Sequence, residues 1–393
     1  MKIIHLGNVP VPAEFATAKS ARQHLGRWAL NHAIAQKNAG MDAEIVSIAH
    51  KAERDFTCEI DGVKCRFLRT FHPYRHFTFY AIDQMRLART VRRLGADIVH
   101  AHGTEGPYAL GAIRSGLPFC VTAQGLFFQI IPALGGKPDM NQRFIRASEN
   151  WALKRTKFAV AKSEYVRDAL AAEYPHLDLT LIPNTYAPDL DYELVEKTGK
   201  RMVFIGSINK RKGFHTITEA MPRITASHPS VELHVLGNPP EGSGSEFAIK
   251  NISNLRSVLG DRLILHGKQP AAYVFKILDE CRLLLAPSLE EMFGNQLIEG
   301  LMRGCSAIVS EGTALAENAR RFGGPAIVPQ DDSGALAAEA CRILSNPLQL
   351  SESEIIRDNI RKYMSPSGVA ATHGSLYEKV MTECGKRIAT QSE

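Results

Sequence analysis

Two carboxylates, Glu291 and Glu299, stand with seven residues between them in Glu291-Met-Phe-Gly-Asn-Gln-Leu-Ile-Glu299. The segment before them, Arg282-Leu-Leu-Leu-Ala-Pro-Ser288, reads as a buried strand, and Leu297, Ile298, Leu301 and Met302 recur at helical spacing. The order is therefore strand, loop, helix. In an open parallel sheet such a loop lies at the carboxyl ends of the strands, where ligands bind. The first N–H groups of the helix, near Gly294 to Leu297, have no acceptor within it and form a site for a phosphate. Two carboxylates beside that site would repel the phosphate, so they suit hydroxyl groups instead. A nucleotide-sugar offers both chemistries: a diphosphate, and hydroxyl-bearing rings at either end. The bland alternative is a surface Glu291 and a helix-face Glu299 that only solvate a turn.

A second segment supplies the opposite charge. Arg201-Met-Val-Phe-Ile-Gly-Ser-Ile-Asn-Lys-Arg-Lys-Gly213 runs into a helix with Phe214, Ile217, Ala220, Met221 and Ile224 on one face. Gly206 ends the strand and permits a tight turn. Lys212 sits at the positive end of the helix, where a departing nucleoside diphosphate would gather negative charge. Fixed cations and helix amides stabilise such charge without reorganising. A basic loop solvated at a helix start is the competing reading. Gly237 and Gly267 each close a strand, either to let a nucleoside approach the backbone or as ordinary turn residues. Glu317 reads as a helix residue.

These stretches resemble the E-x7-E and G-R-x-x-x-x-K-G segments of retaining glycosyltransferases with the GT-B fold, particularly glycosyltransferase family 4 (glycosyl transferases group 1). The resemblance implies an α/β protein of two Rossmann-like doubly wound domains facing across a cleft. It implies a nucleoside-diphosphate sugar as donor substrate, no cofactor and no metal. By the same resemblance Glu291 holds hydroxyls of the transferred sugar and Glu299 those of the ribose. Lys212, with Phe293, Gly294, Asn295 and Gln296 at the helix start, holds the diphosphate, and Gly206, Ser207, Gly237 and Gly267 line the donor side. The chain departs from the family in three places. Ser207 replaces the usual arginine, leaving Lys210 or Arg211 to reach in. Gln124, in Val121-Thr-Ala-Gln-Gly125, stands where a histidine is common. The first loop, Gly7-Asn-Val-Pro-Val-Pro12, lacks paired glycines.

On the acceptor side, His100 and His102 lie two apart at a strand end and so share a face. A core role satisfied by backbone suits His100, while His102 is placed to contact the acceptor or the transferred sugar. No third metal ligand is positioned by sequence. Gln124 can hydrogen-bond a sugar hydroxyl but cannot act as a base. In retaining enzymes of this kind the acceptor proton passes to the leaving phosphate, so a protein base is not obligatory. The candidate catalytic set is Glu291, Lys212, His102 and Gln124. Asp189-Leu-Asp191 matches a metal-holding D-x-D but falls in a linker, not after a buried strand.

The surrounding elements must position these groups. A chain of 393 residues, 45% hydrophobic and 22% charged, suits two soluble domains. Apolar runs at 2–6, 43–48, 97–103, 118–124, 157–162 and 179–182 alternate with helical stretches such as 13–38, with a hairpin at Asp61-Gly62. A second series runs through 202–205, 231–236, 263–265, 283–286, 307–309 and 326–328. The expected domains are 1–185, joined by a helix at about 366–393 crossing back, and 186–365. Met1 enters a strand at once, with no signal-peptide core or spanning segment, so a cytoplasmic protein is expected. Its seven scattered cysteines fit reduced thiols, Cys58 and Cys65 facing each other across the hairpin. The net charge of +6 includes clusters at Arg86, Arg89, Arg92 and Arg93 and at Arg143, Arg146, Lys154, Arg155 and Lys157. They read as a solvated face, or as peripheral contact with an anionic membrane at its inner face or with an acidic acceptor. The acceptor class is saccharide or lipid-linked, and no nucleic-acid motif is present. A nucleotide-sugar epimerase of the same architecture and a degenerate sugar-nucleotide-binding subunit remain as rivals. A Rossmann dehydrogenase lacks its G-x-G-x-x-G after the first strand.

Overall fold

The structure, a computed structural model, describes residues 1–12, 15, 27–50, 52–70, 75–135, 137–186, 192–238 and 245–391. The chain divides into two compact units, one of residues 1–131, 137–185 and 364–393, the other of residues 132–136 and 186–363. The part of the anticipated helix at 13–14 and 16–26, and the Asp189-Leu-Asp191 segment, lie outside the described residues.

The first unit is wound on β1 (Lys2–Leu6), β2 (Asp42–His50), β3 (Phe56–Ile60), β4 (Val63–Thr70), β5 (Ile98–His102), β6 (Phe119–Thr122), β7 (Phe158–Ala161) and β8 (Asp178–Leu181). Their order across the sheet is β3-β4-β2-β1-β5-β6-β7-β8. Only the β3–β4 hairpin is antiparallel, and it puts Cys58 opposite Cys65, both free thiols. Strand β5 is buried along its whole length. That follows from helices covering both faces of a parallel sheet. The helices are α1 (Trp28–Asn38), α2 (Ala81–Arg93), α3 (Pro107–Ser115), α4 (Phe127–Leu134), α5 (Met140–Leu153) and α6 (Glu164–Glu173). Asp139 opens α5 with a capping box, its carboxylate accepting the Gln142 N–H while the Gln142 side chain returns to the Asp139 N–H.

The second unit carries β9 (Arg201–Ile205), β10 (Glu232–Leu236), β11 (Leu263–Gly267), β12 (Leu283–Ala286), β13 (Ser306–Ser310) and β14 (Ala326–Val328). All are parallel, in the order β11-β10-β9-β12-β13-β14. Between and after them run α7 (Phe214–Ser227), α8 (Ser245–Leu259), α9 (Ala271–Glu280), α10 (Asn295–Met302), α11 (Ala314–Phe322), α12 (Ser333–Ser345) and α13 (Leu350–Tyr363). Phe204, Phe214, Ile217, Met221, Leu233 and Leu285 pack in one buried cluster, so the apolar face read on α7 does meet the sheet.

The last helix, α14 (Pro366–Gln391), belongs to the first unit. Its Val369, Leu376, Tyr377 and Val380 join Ile3, Ile98, Cys120 and Phe158 in a buried cluster. Many of the basic side chains read as a charged face are engaged locally. Arg86 grips Asp55 at 2.6 Å, Arg146 grips Glu173 at 2.9 Å, Lys157 pairs with Glu383, and Arg155 stacks on Trp151. Among the described residues no helix is long and apolar enough to cross a membrane.

Truncating Leu376 to alanine removes a side chain that α14 buries in the first unit. The expected loss is about 2–5 kcal/mol of stability, read as a lower urea midpoint of the full chain. An unchanged midpoint would show that α14 does not hold this core.

Candidate active site

In the second sheet the strand order turns back between β9 and β12, and the loops leaving these neighbours diverge to opposite faces. The loop after β9 carries Arg211 and Lys212, and the loop after β12 carries Glu290 and Glu291. The two loops are stitched in register. The Leu289 N–H donates to the Arg211 carbonyl at 2.7 Å, Arg211 Nη1 donates to Glu290 Oε2 at 2.8 Å, and Lys212 Nζ pairs with Glu291 Oε2. Gly213 makes this fit possible. It sits at φ +67°, and a Cβ there would lie 1.8 Å from the Pro287 carbonyl oxygen. Gly237 is as tightly constrained, at φ +150° with the Gly206 oxygen 1.9 Å from the position of a Cβ.

Burial acts on the two neighbouring glutamates in the same direction, yet their net shifts are opposite. Burial pushes the Glu291 carboxyl up, but the Lys212 ammonium and Arg211 guanidinium overcome it and hold it at about 2. Gln296 adds a hydrogen bond to the same oxygen at 3.0 Å. Glu290 is 2% exposed, and burial raises its pKa despite Arg211. Its Oε1 is buried without a hydrogen-bond partner among the described residues.

The first sheet reverses between β1 and β5, and its seam is filled with histidine. His5 on β1 is the register partner of His100 on β5. His102 Nε2 bonds His5 Nδ1 at 2.8 Å, and His5 Nε2 bonds Gln36 Oε1 at 2.9 Å. His100 bonds the Tyr377 hydroxyl at 2.7 Å and the Thr122 hydroxyl at 2.6 Å. Burial lowers the pKa of His5 to about 4, and it lowers His100 and His102 well below the usual histidine range, with the neighbouring rings adding to the effect. The rings are therefore neutral at pH 7. Ring nitrogens of His5, His100 and His102 lie within 4.8 Å of one another, a set that could hold a metal ion, but the hydrogen bonds above already engage them.

Two family profiles match the chain: "Glycosyltransferase Family 4" over residues 25–190 and "Glycosyl transferases group 1" over residues 199–346. A 2-deoxystreptamine glucosyltransferase of Streptomyces kanamyceticus is 21% identical over 276 residues, covering 65% of this chain and 70% of that protein. The sucrose-phosphate synthase structure from Thermosynechococcus elongatus superposes with a TM-score of 0.76 at 19% identity, over 98% of this chain and all of that one. A trehalose-6-phosphate structure from E. coli, bound with UDP-2-fluoro glucose, gives a TM-score of 0.70 at 11% identity over 96% and 99% of the two chains. Both halves of the chain thus match glycosyltransferase family models, and its fold is that of the GT-B glycosyltransferases.

In this GT-B chain the structure brings together Lys212, Glu291 and Gln296, and it places Gly206 and Gly237 in backbone contact at the ends of β9 and β10. The Gly237 N–H donates to the Gly267 carbonyl at 2.9 Å. Gly294 precedes α10, while Asn295 and Glu299 lie half-buried on that helix. Phe293 is a framework residue: its ring is buried, and its carbonyl accepts from Asn318 at 2.7 Å. Ser207 is exposed, and Arg211 is committed to Glu290 rather than free to replace the missing arginine. Glu317 pairs with Arg321 at 3.0 Å. His100 is satisfied by side chains, not by backbone as expected. His102 is 3% exposed and turned into the histidine set, so half-buried Gln124 is the outer group of the two. Sequence reasoning missed Glu290, His5 and Lys162; the paired doublets Arg211-Lys212 and Glu290-Glu291 were the available signal.

Because the folded pKa of Glu291 is depressed, its contribution to stability is full above the ordinary carboxylate value. It is lost as pH falls from about 4.5 through about 2. Lys212→Met removes the partner of this carboxylate and is expected to cost about 3–5 kcal/mol at pH 7. Denaturant titrations at pH 7 and pH 3 check this: the deficit should shrink at the lower pH. A deficit equal at both values would contradict the ion-pair account.

Proposed function

We propose that the chain is a retaining glycosyltransferase that moves a sugar from a nucleoside-diphosphate donor to a hydroxyl acceptor in glycan, polysaccharide or glycolipid synthesis. The observation that carries this reading is the Lys212–Glu291 pair at the seam of the second sheet, beside the amino end of α10. Bound UDP-2-fluoro glucose in the E. coli neighbour supports a nucleotide-sugar as donor.

In this scheme Lys212 and the first amides of α10 take the charge that develops on the leaving diphosphate. The bond between the anomeric carbon and the phosphate oxygen breaks, and the bond to the acceptor oxygen forms on the same face. The acceptor proton passes to the departing phosphate oxygen, so no protein base is required. Glu291, ionised throughout the working pH range, accepts hydrogen bonds from the transferred sugar and frees Lys212 toward the diphosphate. Glu299 accepts from the ribose hydroxyls. Gly206, Gly237 and Gly267 leave room for the nucleoside against the backbone. The positive charge of Lys212 serves where other enzymes use a metal ion, so transfer should survive chelation. Gln124 contacts the sugar, and His102 acts through it. The acceptor is a saccharide or a lipid-linked hydroxyl. For an anionic acceptor or an anionic membrane surface at the inner face, Arg89, Arg93 and Lys154 are exposed cations.

Lys212→Ala and Glu291→Ala are each expected to lower kcat by about 10²–10³-fold, the worth of one charge-stabilising group. Product analysis with and without acceptor separates the alternatives. Transfer with retention supports the proposal. An epimerised donor formed without acceptor identifies an epimerase. Donor binding with neither transfer nor hydrolysis identifies a binding subunit, a reading favoured by the Ser207 and Gln124 departures.

A further inference from the structure

One unbroken run of hydrogen bonds links Lys162 at the end of β7 to Tyr377 on α14 and back to β6. Lys162 Nζ donates to Gln124 Oε1 at 2.7 Å, and Gln124 Nε2 lies 3.5 Å from His102 Nδ1. The run continues from His102 to His5, from His5 to Gln36, and from Gln36 Nε2 to the Tyr377 hydroxyl at 2.9 Å. Tyr377 then meets His100 Nδ1, and His100 Nε2 meets the Thr122 hydroxyl. Every residue of the run except Gln124 is buried.

The donor inventory allows the first half of this run, from Lys162 to Gln36, only one direction. A lysine ammonium can donate but cannot accept. Gln124 must therefore turn its oxygen to Lys162 and its N–H to His102 Nδ1. His102 then carries its proton on Nε2 and gives it to His5 Nδ1, which puts the His5 proton on Nε2, facing Gln36 Oε1. Gln36 donates to Tyr377, Tyr377 to His100 Nδ1, and His100 through Nε2–H to Thr122. Turning the first half over as a whole sets the Gln124 N–H against the Lys162 ammonium, and turning one ring alone sets two donors against each other at its neighbour; either is a buried mismatch costing about 1–3 kcal/mol. The neutral state of the rings agrees with one proton per imidazole.

We propose that Lys162 is a positioning residue, whose ammonium sets the direction of this hydrogen-bonded run and thereby fixes the Gln124 carboxamide toward the sugar. The proposal rests on the assignment of Gln124 to the sugar site made above. So held, Gln124 keeps one oxygen lone pair and one N–H unspent, enough to accept from one sugar hydroxyl and donate to another. Without Lys162 the carboxamide can turn over, and the two rings behind it follow. The far end is anchored by α14, so the last helix of the chain is part of the same arrangement.

The test reads tautomers on the protein alone, by long-range proton–nitrogen correlation in 15N-labelled full-length chain. The wild type should show His5, His100 and His102 all as neutral Nε2–H rings. Lys162→Met should give mixed tautomers at His102 and His5, and Lys162→Arg, which keeps a donor, should restore them. Tyr377→Phe should disturb His100 and leave His102 and His5 in the wild-type form. In transfer assays Lys162→Met should lower kcat about tenfold, one hydrogen bond's worth, with little change in the donor KM. An Nδ1–H ring at His102 or His5 in the wild type would overturn the proposal. So would stoichiometric zinc with these nitrogens deprotonated, or mixed tautomers in Lys162→Met with kcat unchanged. A wild type that shows the three Nε2–H rings but transfers no sugar would strike the transferase reading and leave the direction set by Lys162 standing.

Discussion

Where a parallel sheet reverses its strand order, neighbouring strands send their following segments to opposite faces, and nothing in the sheet fills the gap between them. The chain meets this constraint at β1 and β5 and again at β9 and β12. At both seams it has placed polar side chains that a buried sheet otherwise excludes. The second seam holds opposite charges, Lys212 against Glu291 and Arg211 against Glu290. The first holds neutral imidazoles in a closed hydrogen-bonding scheme. The rings of His5 and His100 each find hydrogen-bond partners at both nitrogens, and the cations of the second seam pair with its carboxylates.

Burial alone does not decide how those groups behave. Glu291 and Glu290 are adjacent, yet the first is held at about 2 by cations and the second is raised. The difference lies in the partners: Glu291 receives Lys212 and Gln296, whereas one oxygen of Glu290 has no hydrogen-bond partner among the described residues. A carboxylate that stays ionised while buried is suited to hydroxyls, which can only strengthen its hydrogen bonding. The same cation that keeps it ionised is the one a diphosphate would draw away. On the proposed function this would tie binding of the sugar and of its leaving group to one local balance of charge.

Much of this was legible in the residues, and the reason is periodicity. Short apolar runs bounded by glycine marked the strands, and the spacing of Leu297, Ile298, Leu301 and Met302 marked α10. Lys212 and Glu291 were singled out by their places at strand ends, and the structure joins them. What stayed hidden depends on partners far apart in the chain. His5 looked like one more residue of an apolar strand, and nothing local says that His100 meets Tyr377 from the last helix. Arg211 looked free for a phosphate because its buried partner, Glu290, lies 79 positions away. Phe293 stood inside a motif of ligand-binding residues, but its ring serves the core.

The proposed transfer requires a nucleoside diphosphate to bind where β9 and β12 part. A crystal structure of the full chain with UDP or another nucleoside diphosphate tests it most directly. The account requires the terminal phosphate within about 3 Å of Lys212 Nζ and of the first amides of α10, at ordinary hydrogen-bond length. It also requires the Lys212–Glu291 pair to be opened or shared. A diphosphate bound elsewhere, with that pair undisturbed, would contradict it.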